Sequence, residues 1–361
     1  MTISNNKLLM GAAGAAGGGQ TASNYLAVNR ASQGTLDVLD HTTPGSISSN
    51  DTLTLGGGGN DGYCAAWASD DSFIVANTEG NPHLHLIDSS NYGSLSSSDN
   101  INVGFRSRSL ALSPGDDQVA VGHWDGSGNW RLYQISSGSL SLASAEVLPN
   151  GTSGGSVESI DYNPDGDYIA ILARPASGNS FIHLYSVPTN NAGAPSFIAS
   201  YDGGSGGGST GTCSCRFSPD GNYLAVSFLS KLRVFTYNSS SITLLATQSI
   251  IGTGYFQSIA WNPDNSEIAV TATGNKRLHI YLFDPTHASE ENRLIHADSS
   301  YLLPGTPNGI AWSADGEYIA AVSAQGLDLV NAGAQNNLSR ADRIASSGYY
   351  SNGDRISWSN N

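Results

Sequence analysis

Three observations in the sequence predict an all-β fold of seven four-stranded blades closed into a ring, a seven-bladed β-propeller: a short phrase that recurs, apolar alternation on both sides of it, and unmatched strands at the two chain ends. The phrase runs aromatic, Ser or Asn, Pro or Ala, Asp, Gly or Asn, two residues, then an apolar alternation. Its copies are AAWASDDSFIVA, LALSPGDDQVAV, IDYNPDGDYIAI, CRFSPDGNYLAV, IAWNPDNSEIAV and IAWSADGEYIAA. The residues at its aromatic position are Trp67, Leu112, Tyr162, Phe217, Trp261 and Trp312, separated by 45, 50, 55, 44 and 51 residues. A second marker always follows six residues later: Phe73, Gln118, Tyr168, Tyr223, Glu267 and Tyr318. A fixed offset inside a variable period marks one structural unit with loops of free length.

Within each unit the alternation predicts a first and a second strand. The Ser-Pro-Asp-Gly cluster between them predicts a tight turn, in which Pro presets φ, Asp bonds nearby backbone and Gly takes a positive φ. A third strand follows: HLHLID (83–88), WRLYQI (130–135), FIHLYS (181–186), KLRVFT (231–236), RLHIYLF (277–283) and GLDLVN (326–331). A more polar fourth strand comes after it. At the N-terminus, NYLAV (24–28) and TLDVLD (35–40) are a second and third strand with no first strand before them. At the C-terminus, RISWSNN (355–361) is a first strand with no second, and Trp358 lies 46 residues after Trp312, in register. Pairing strand 355–359 with the N-terminal blade closes the ring and removes an open edge. Residues 23–361 then form the propeller at about 48 residues per blade.

Composition narrows the function. Of 361 residues, 30 are acidic and 15 basic, for a net charge of −15, and only 12% are charged at all. Without a Lys/Arg stripe the chain has nothing to neutralise phosphates along a nucleic acid. No apolar run of about 18 residues is present, so no membrane-spanning helix is expected. Three cysteines, an odd number, argue against a disulfide framework. Cys64 and Cys215 fall at core positions of the repeat, two residues from Cys213 in the latter case.

The repeat resembles a WD40-like seven-bladed propeller of the Ser-Pro-Asp-Gly kind over everything after about residue 22. It lacks the Gly-His dipeptide, and its third strands do not end in Trp-Asp. Residues 1–22, MTISNNKLLMGAAGAAGGGQTA, lie outside the repeat. They read as a flexible leader, a secretory signal peptide, or an extended anchoring arm whose Leu8, Leu9 and Met10 hold a partner while Gly and Ala permit close backbone approach. Their opening NNKLLMGAAGAAGGG is similar to the starts of bacteriophage tail- and head-associated structural proteins.

Motifs that would carry chemistry are weak. Gly206, Gly208 and Gly211 match G-x-G-x-x-G, but a strand follows where a helix is needed. Two G-x-S-x-G matches, around Ser153 and Ser205, lie in loops between strands and lack the strand–turn–helix setting of a nucleophile elbow. His85, His183 and His279 share one third-strand position with Arg131, Arg233, Asp37 and Asp328, which reads as a polar strand face, not a metal shell. The turn residues Asp70, Asp116, Asp165, Asp220, Asp264 and Asp315 read as turn-formers, not Ca²⁺ ligands. No cofactor is expected.

Binding in such rings concentrates on one rim, made by the loops entering each first strand and leaving each second strand. The entering loops are 56–63, 104–109, 149–157, 202–212, 252–257, 303–308 and 347–354. They carry Tyr63, Phe105, Arg106, Arg108, Tyr255, Phe256, Tyr349 and Tyr350, and Trp124 joins them from the other set. Aromatics on polar loops suit sugar rings or protein hot spots. The main expectation is therefore a non-enzymatic interaction protein: a virion component in several symmetric copies, joined to other virion proteins through the arm and facing a host glycan or protein. A secreted carbohydrate-binding lectin is the first alternative. The second is an enzyme, because seven-bladed lactonases also carry such turns and FIVANTEGN (73–81) is similar to their strand–loop phrase.

Overall fold

A computed structural model describes residues 25–30, 34–56, 62–123, 129–149, 155–174, 179–188, 193–205, 214–228, 230–251, 254–333, 337–345 and 357–359. They form seven antiparallel sheets of four strands each. Six blades are continuous in sequence, with innermost strands Gly62–Trp67, Ser107–Leu112, Ser156–Tyr162, Cys215–Phe217, Phe256–Trp261 and Pro307–Trp312 (blades 2 to 7). Blade 1 joins Tyr25–Arg30, Thr35–Asp40 and Ser48–Thr54 to the C-terminal strand Ser357–Trp358. Leu26 pairs with Trp358 and Ala27 with Ser357. The Tyr25 amide donates to Ser359 Oγ at 2.9 Å, and the Ser359 amide donates to the Tyr25 carbonyl at 2.8 Å. The innermost strands touch in sequence round the whole ring, with Ser357–Trp358 between blades 7 and 2. The expected closure is thus present.

The core lies between blades. One cluster joins Ala27, Leu36 and Val38 of blade 1 to Ala65, Trp67 and Ile74 of blade 2, and the others straddle neighbouring blades in the same way. Both faces of a blade are therefore apolar near the axis, so the second strand Gln118–His123 is buried throughout, whereas the outermost Ser48–Thr54 is mostly exposed.

At three of its seven positions the marker ties its blade to the one before it. The indole N–H of Trp67 donates to the Ser357 carbonyl at 3.1 Å, that of Trp261 to Arg216 at 3.0 Å, and that of Trp358 to Ala311 at 3.2 Å. Each acceptor is the residue just before the marker of the preceding blade, so a buried donor is satisfied across these three boundaries, whereas the Trp312 indole N–H has no partner among the described residues. The turn after the marker is equally regular. Its last residue, Asp71, Asp116, Gly166, Gly221, Asn265 or Gly316, has φ between 59° and 77°. The amide of that residue closes the turn at 2.9–3.0 Å. Asp116 is thus the left-handed residue of its turn, and its carboxylate accepts from the Ser69 amide of blade 2 at 2.8 and 2.9 Å.

One sequence expectation is corrected by burial. The third-strand position read as a polar face lies inside the blade, where the fourth strand and the neighbouring blades cover it: Asp37, His85, His183, His279 and Asp328 are all 2% exposed or less. Polar groups there must find partners within the protein. Asp37 pairs with Arg30 and Asp328 with Arg343, both at 2.6 Å. His85 Nε2 sits 3.0 Å from the Pro82 carbonyl, and His279 Nδ1 sits 3.0 Å from His296 Nε2. His183 lies between the rings of Phe181 and Phe197, and its ring nitrogens have no hydrogen-bond partner. Burial pushes His85, His183 and His279 down to about 4.

Candidate functional site

The inner strands are regular at their ends and irregular at their starts. In blades 2, 3, 4, 6 and 7 the pairing with the second strand slips by one residue near the start: between Gly62 and Ala65, Ser107 and Ser109, Val157 and Ser159, Phe256 and Ile259, and Pro307 and Gly309. These are β-bulges, which re-aim a side chain and gather beside active sites. In every case the residue four before the marker falls in the bulge: Tyr63, Arg108, Glu158, Gln257 and Asn308. All five therefore lie at one mouth of the ring.

The bulged backbone is held by side chains from the second strands. The Cys64 amide donates to Asn77 Oδ1 at 2.7 Å, Ser214 to Ser227 Oγ at 2.8 Å, and Ser258 to Thr271 Oγ1 at 3.2 Å. Asn77 Nδ2 continues to Ser107 Oγ at 2.7 Å, and Asn29 Nδ2 donates to the Cys64 carbonyl at 2.6 Å, so blades 1, 2 and 3 are tied together at this mouth.

Glu158 is the buried charge of the site. Its side chain is 1% exposed, and its Oε1 accepts from Arg174 Nε and Nη2, both at 2.9 Å. The Ser156 hydroxyl donates to the same oxygen. Arg174 reaches it because the second strand Tyr168–Arg174 ends opposite Ser156. Arg108 stands at the corresponding place one blade earlier, half-buried. A carboxylate anchored through one oxygen beside guanidinium groups can take a proton from water while the cations stabilise developing negative charge.

The rim residues singled out in the sequence scatter over this mouth. Arg106 is exposed and pairs with Glu79 at 2.7 Å. Phe105 is 8% exposed, stacked on His123, with Arg131 Cζ 4.7 Å from its ring centre. Phe256 is fully buried, edge-on to Tyr281, and belongs to the core between blades 5 and 6. Tyr255 is half-buried, its amide donating to Thr273 Oγ1 at 3.1 Å. Tyr63 has its backbone in the first bulge, while its side chain lies outside the described residues, as do Trp124, Tyr349, Tyr350, Leu8, Leu9 and Met10 and the arm they define. Glu158, Gln257 and Asn308 escaped the sequence reading. The signal that finds them is position alone: four before the marker. Among the described residues no group of three or more His, Cys, Asp or Glu side chains is placed to hold a metal ion, and no helix is long and apolar enough to cross a membrane.

No protein-family model matches the sequence, and no curated protein matches it. Solved structures do. The periplasmic gluconolactonase of Pseudomonas aeruginosa matches with a TM-score of 0.72 at 16% identity, over 94% of this chain and 99% of that one. A candidate 6-phosphogluconolactonase from Bacteroides fragilis matches with a TM-score of 0.75 at 12% identity, over 93% and 97%. The β-propeller domain of Cps50 (Swd1) from Myceliophteria thermophila matches less closely, with a TM-score of 0.58 at 12% identity over 80% and 86%. At these identities the likeness establishes the seven-bladed fold. It also corrects the expectation of a non-enzymatic protein. That expectation rested on the lack of a local catalytic motif, yet a gluconolactonase has the same architecture over nearly its whole length. A site assembled from separate blades leaves no contiguous motif to read.

Proposed function

We propose that the chain is a lactonase-like propeller that hydrolyses an aldonolactone at the mouth where the inner strands begin. The observation that carries this reading is the buried Glu158 carboxylate, clamped by Arg174 and Ser156 in an inner-strand bulge, with Arg108 at the equivalent bulge of the preceding blade. The likeness in fold to a gluconolactonase supports it. In this reaction Glu158 accepts a proton from water as the water oxygen bonds to the lactone carbonyl carbon. The guanidinium of Arg108 faces the resulting oxyanion. As the intermediate collapses, the acyl C–O bond of the ring breaks, and Glu158 returns the proton to the ring oxygen, giving a hydroxy acid. Arg174 holds the carboxylate in place throughout and acts as a positioning residue.

The test is ring opening of glucono-δ-lactone, followed by proton release above the spontaneous rate. Wild-type protein accelerates it, and Glu158→Gln lowers kcat per folded molecule by about 10²–10⁴-fold. No acceleration by correctly folded wild-type protein overturns the reading.

A further inference from the structure

We infer that the site takes a neutral, polyhydroxylated lactone and discriminates against its phosphorylated counterpart; this rests on the lactonase reading. A phosphate ester needs a cation able to face it; apart from Arg108, which the proposed reaction turns toward the oxyanion, Arg30, Arg106, Arg131, Arg174, Arg233 and Arg343 at this end of the blades are held by protein groups. Arg174 is bound to Glu158 and Arg106 to Glu79, at 2.9 and 2.7 Å. Arg30 is bound to Asp37 and Arg343 to Asp328, both at 2.6 Å. Arg131 donates to the Val103 carbonyl at 2.7 Å and lies over the Phe105 ring. Arg233 donates to the Gly203 carbonyl at 2.9 Å and lies over Phe228 and Tyr201. Each pair brings a carboxylate or a carbonyl dipole that repels a dianion, and the net charge of −15 adds a long-range barrier.

The same mouth offers unused neutral hydrogen-bonding capacity. Asn308 Nδ2, Asn29 Oδ1 and Ser214 Oγ are buried and have no hydrogen-bond partner among the described residues. Asn308 lies in the bulge of blade 7, Ser214 just before the inner strand of blade 5, and Asn29 near the end of the second strand of blade 1. Orphaned buried amides and hydroxyls carry a desolvation penalty of roughly 1–3 kcal/mol each until something binds them. The donors and acceptors of a polyol match such groups, whereas a phosphate puts acceptors alone in place of one hydroxyl.

The experiment compares kcat/KM for glucono-δ-lactone and its 6-phosphate on the full chain, at low and high ionic strength. The neutral lactone is expected to win by about tenfold or more at low salt. The ratio narrows as salt rises, because only the phosphorylated substrate is repelled through screened charge. Glu79→Gln, which releases Arg106, should shift the ratio toward the phosphate. Equal rates, or a preference for the phosphate, would overturn the inference and leave the lactonase reading standing. Hydrolysis of neither overturns both.

Discussion

The two ends of the inner strands differ in kind. At their finish six blades repeat themselves: a marker, a turn closed by one amide, a left-handed residue at one fixed place. At their start the blades diverge, with Arg108, Glu158, Gln257 and Asn308 at equivalent bulged positions. Repetition means that the same physical task recurs from blade to blade, which is holding blades together. Divergence means that the position answers to something outside the repeat, since a structural task would have one best residue.

This contrast can be broken by experiment. The largest effect of a single substitution on stability is expected at the regular end. Trp261→Ala removes a buried indole and its bond to the Arg216 carbonyl. It should destabilise by about 3–5 kcal/mol in urea unfolding, with kcat per folded molecule unchanged. Acid comes next. His85, His183 and His279 stay neutral in the folded chain down to about 4, while the unfolded chain takes up protons from the ordinary value of 6.5 downward. Stability present above pH 6.5 is therefore lost as pH falls from 6.5 toward 4, by up to about 1.4 kcal/mol per pH unit for each histidine. Unfolding titrations at pH 7 and pH 5 measure it, and His183→Phe should flatten the slope.

Smaller effects sharpen the comparison. Asn265 holds a φ of 67° in its turn, where blades 4, 5 and 7 have Gly. Asn265→Gly should change stability by under about 1 kcal/mol, and Gly166→Ala, at φ 77°, should destabilise by about 1–2 kcal/mol. The smallest stability change belongs to the irregular end: Asn308→Ala deletes an amide whose Nδ2 has no partner and should move stability by under about 0.5 kcal/mol, yet raise KM. A large loss of stability there would make the bulges part of the scaffold and erase the distinction.

The sequence made the regular end legible and the irregular end opaque, for one reason. The blade count, the closure by Trp358 and the positive φ after each marker depend on residues close in the chain and repeated, so periodicity exposes them. Glu158 depends on Arg174, which reaches it only because the bulge sets the register, and on Arg108 one blade away. Neither relation has a spacing rule. The third-strand histidines misled for a related reason: alternation shows which side a residue faces, but not that a fourth strand and a neighbouring blade cover both sides. Phe256 carried the look of a rim aromatic, yet it sits one residue inside the strand, where it fills the space against Tyr281.

Finally, the two-residue strand Ser357–Trp358 sets a timetable. Blade 1 contributes its first three strands by residue 54 and gains its fourth only near residue 357. At ribosomal rates of about 5–20 residues per second, the flank of Tyr25–Arg30 waits on the order of 15–60 s with its amides unpaired. By the end of that interval the nascent chain is a six-bladed arc carrying an open β-edge, a form prone to capture by another chain or a chaperone. Loss of the last few residues would make that interval permanent.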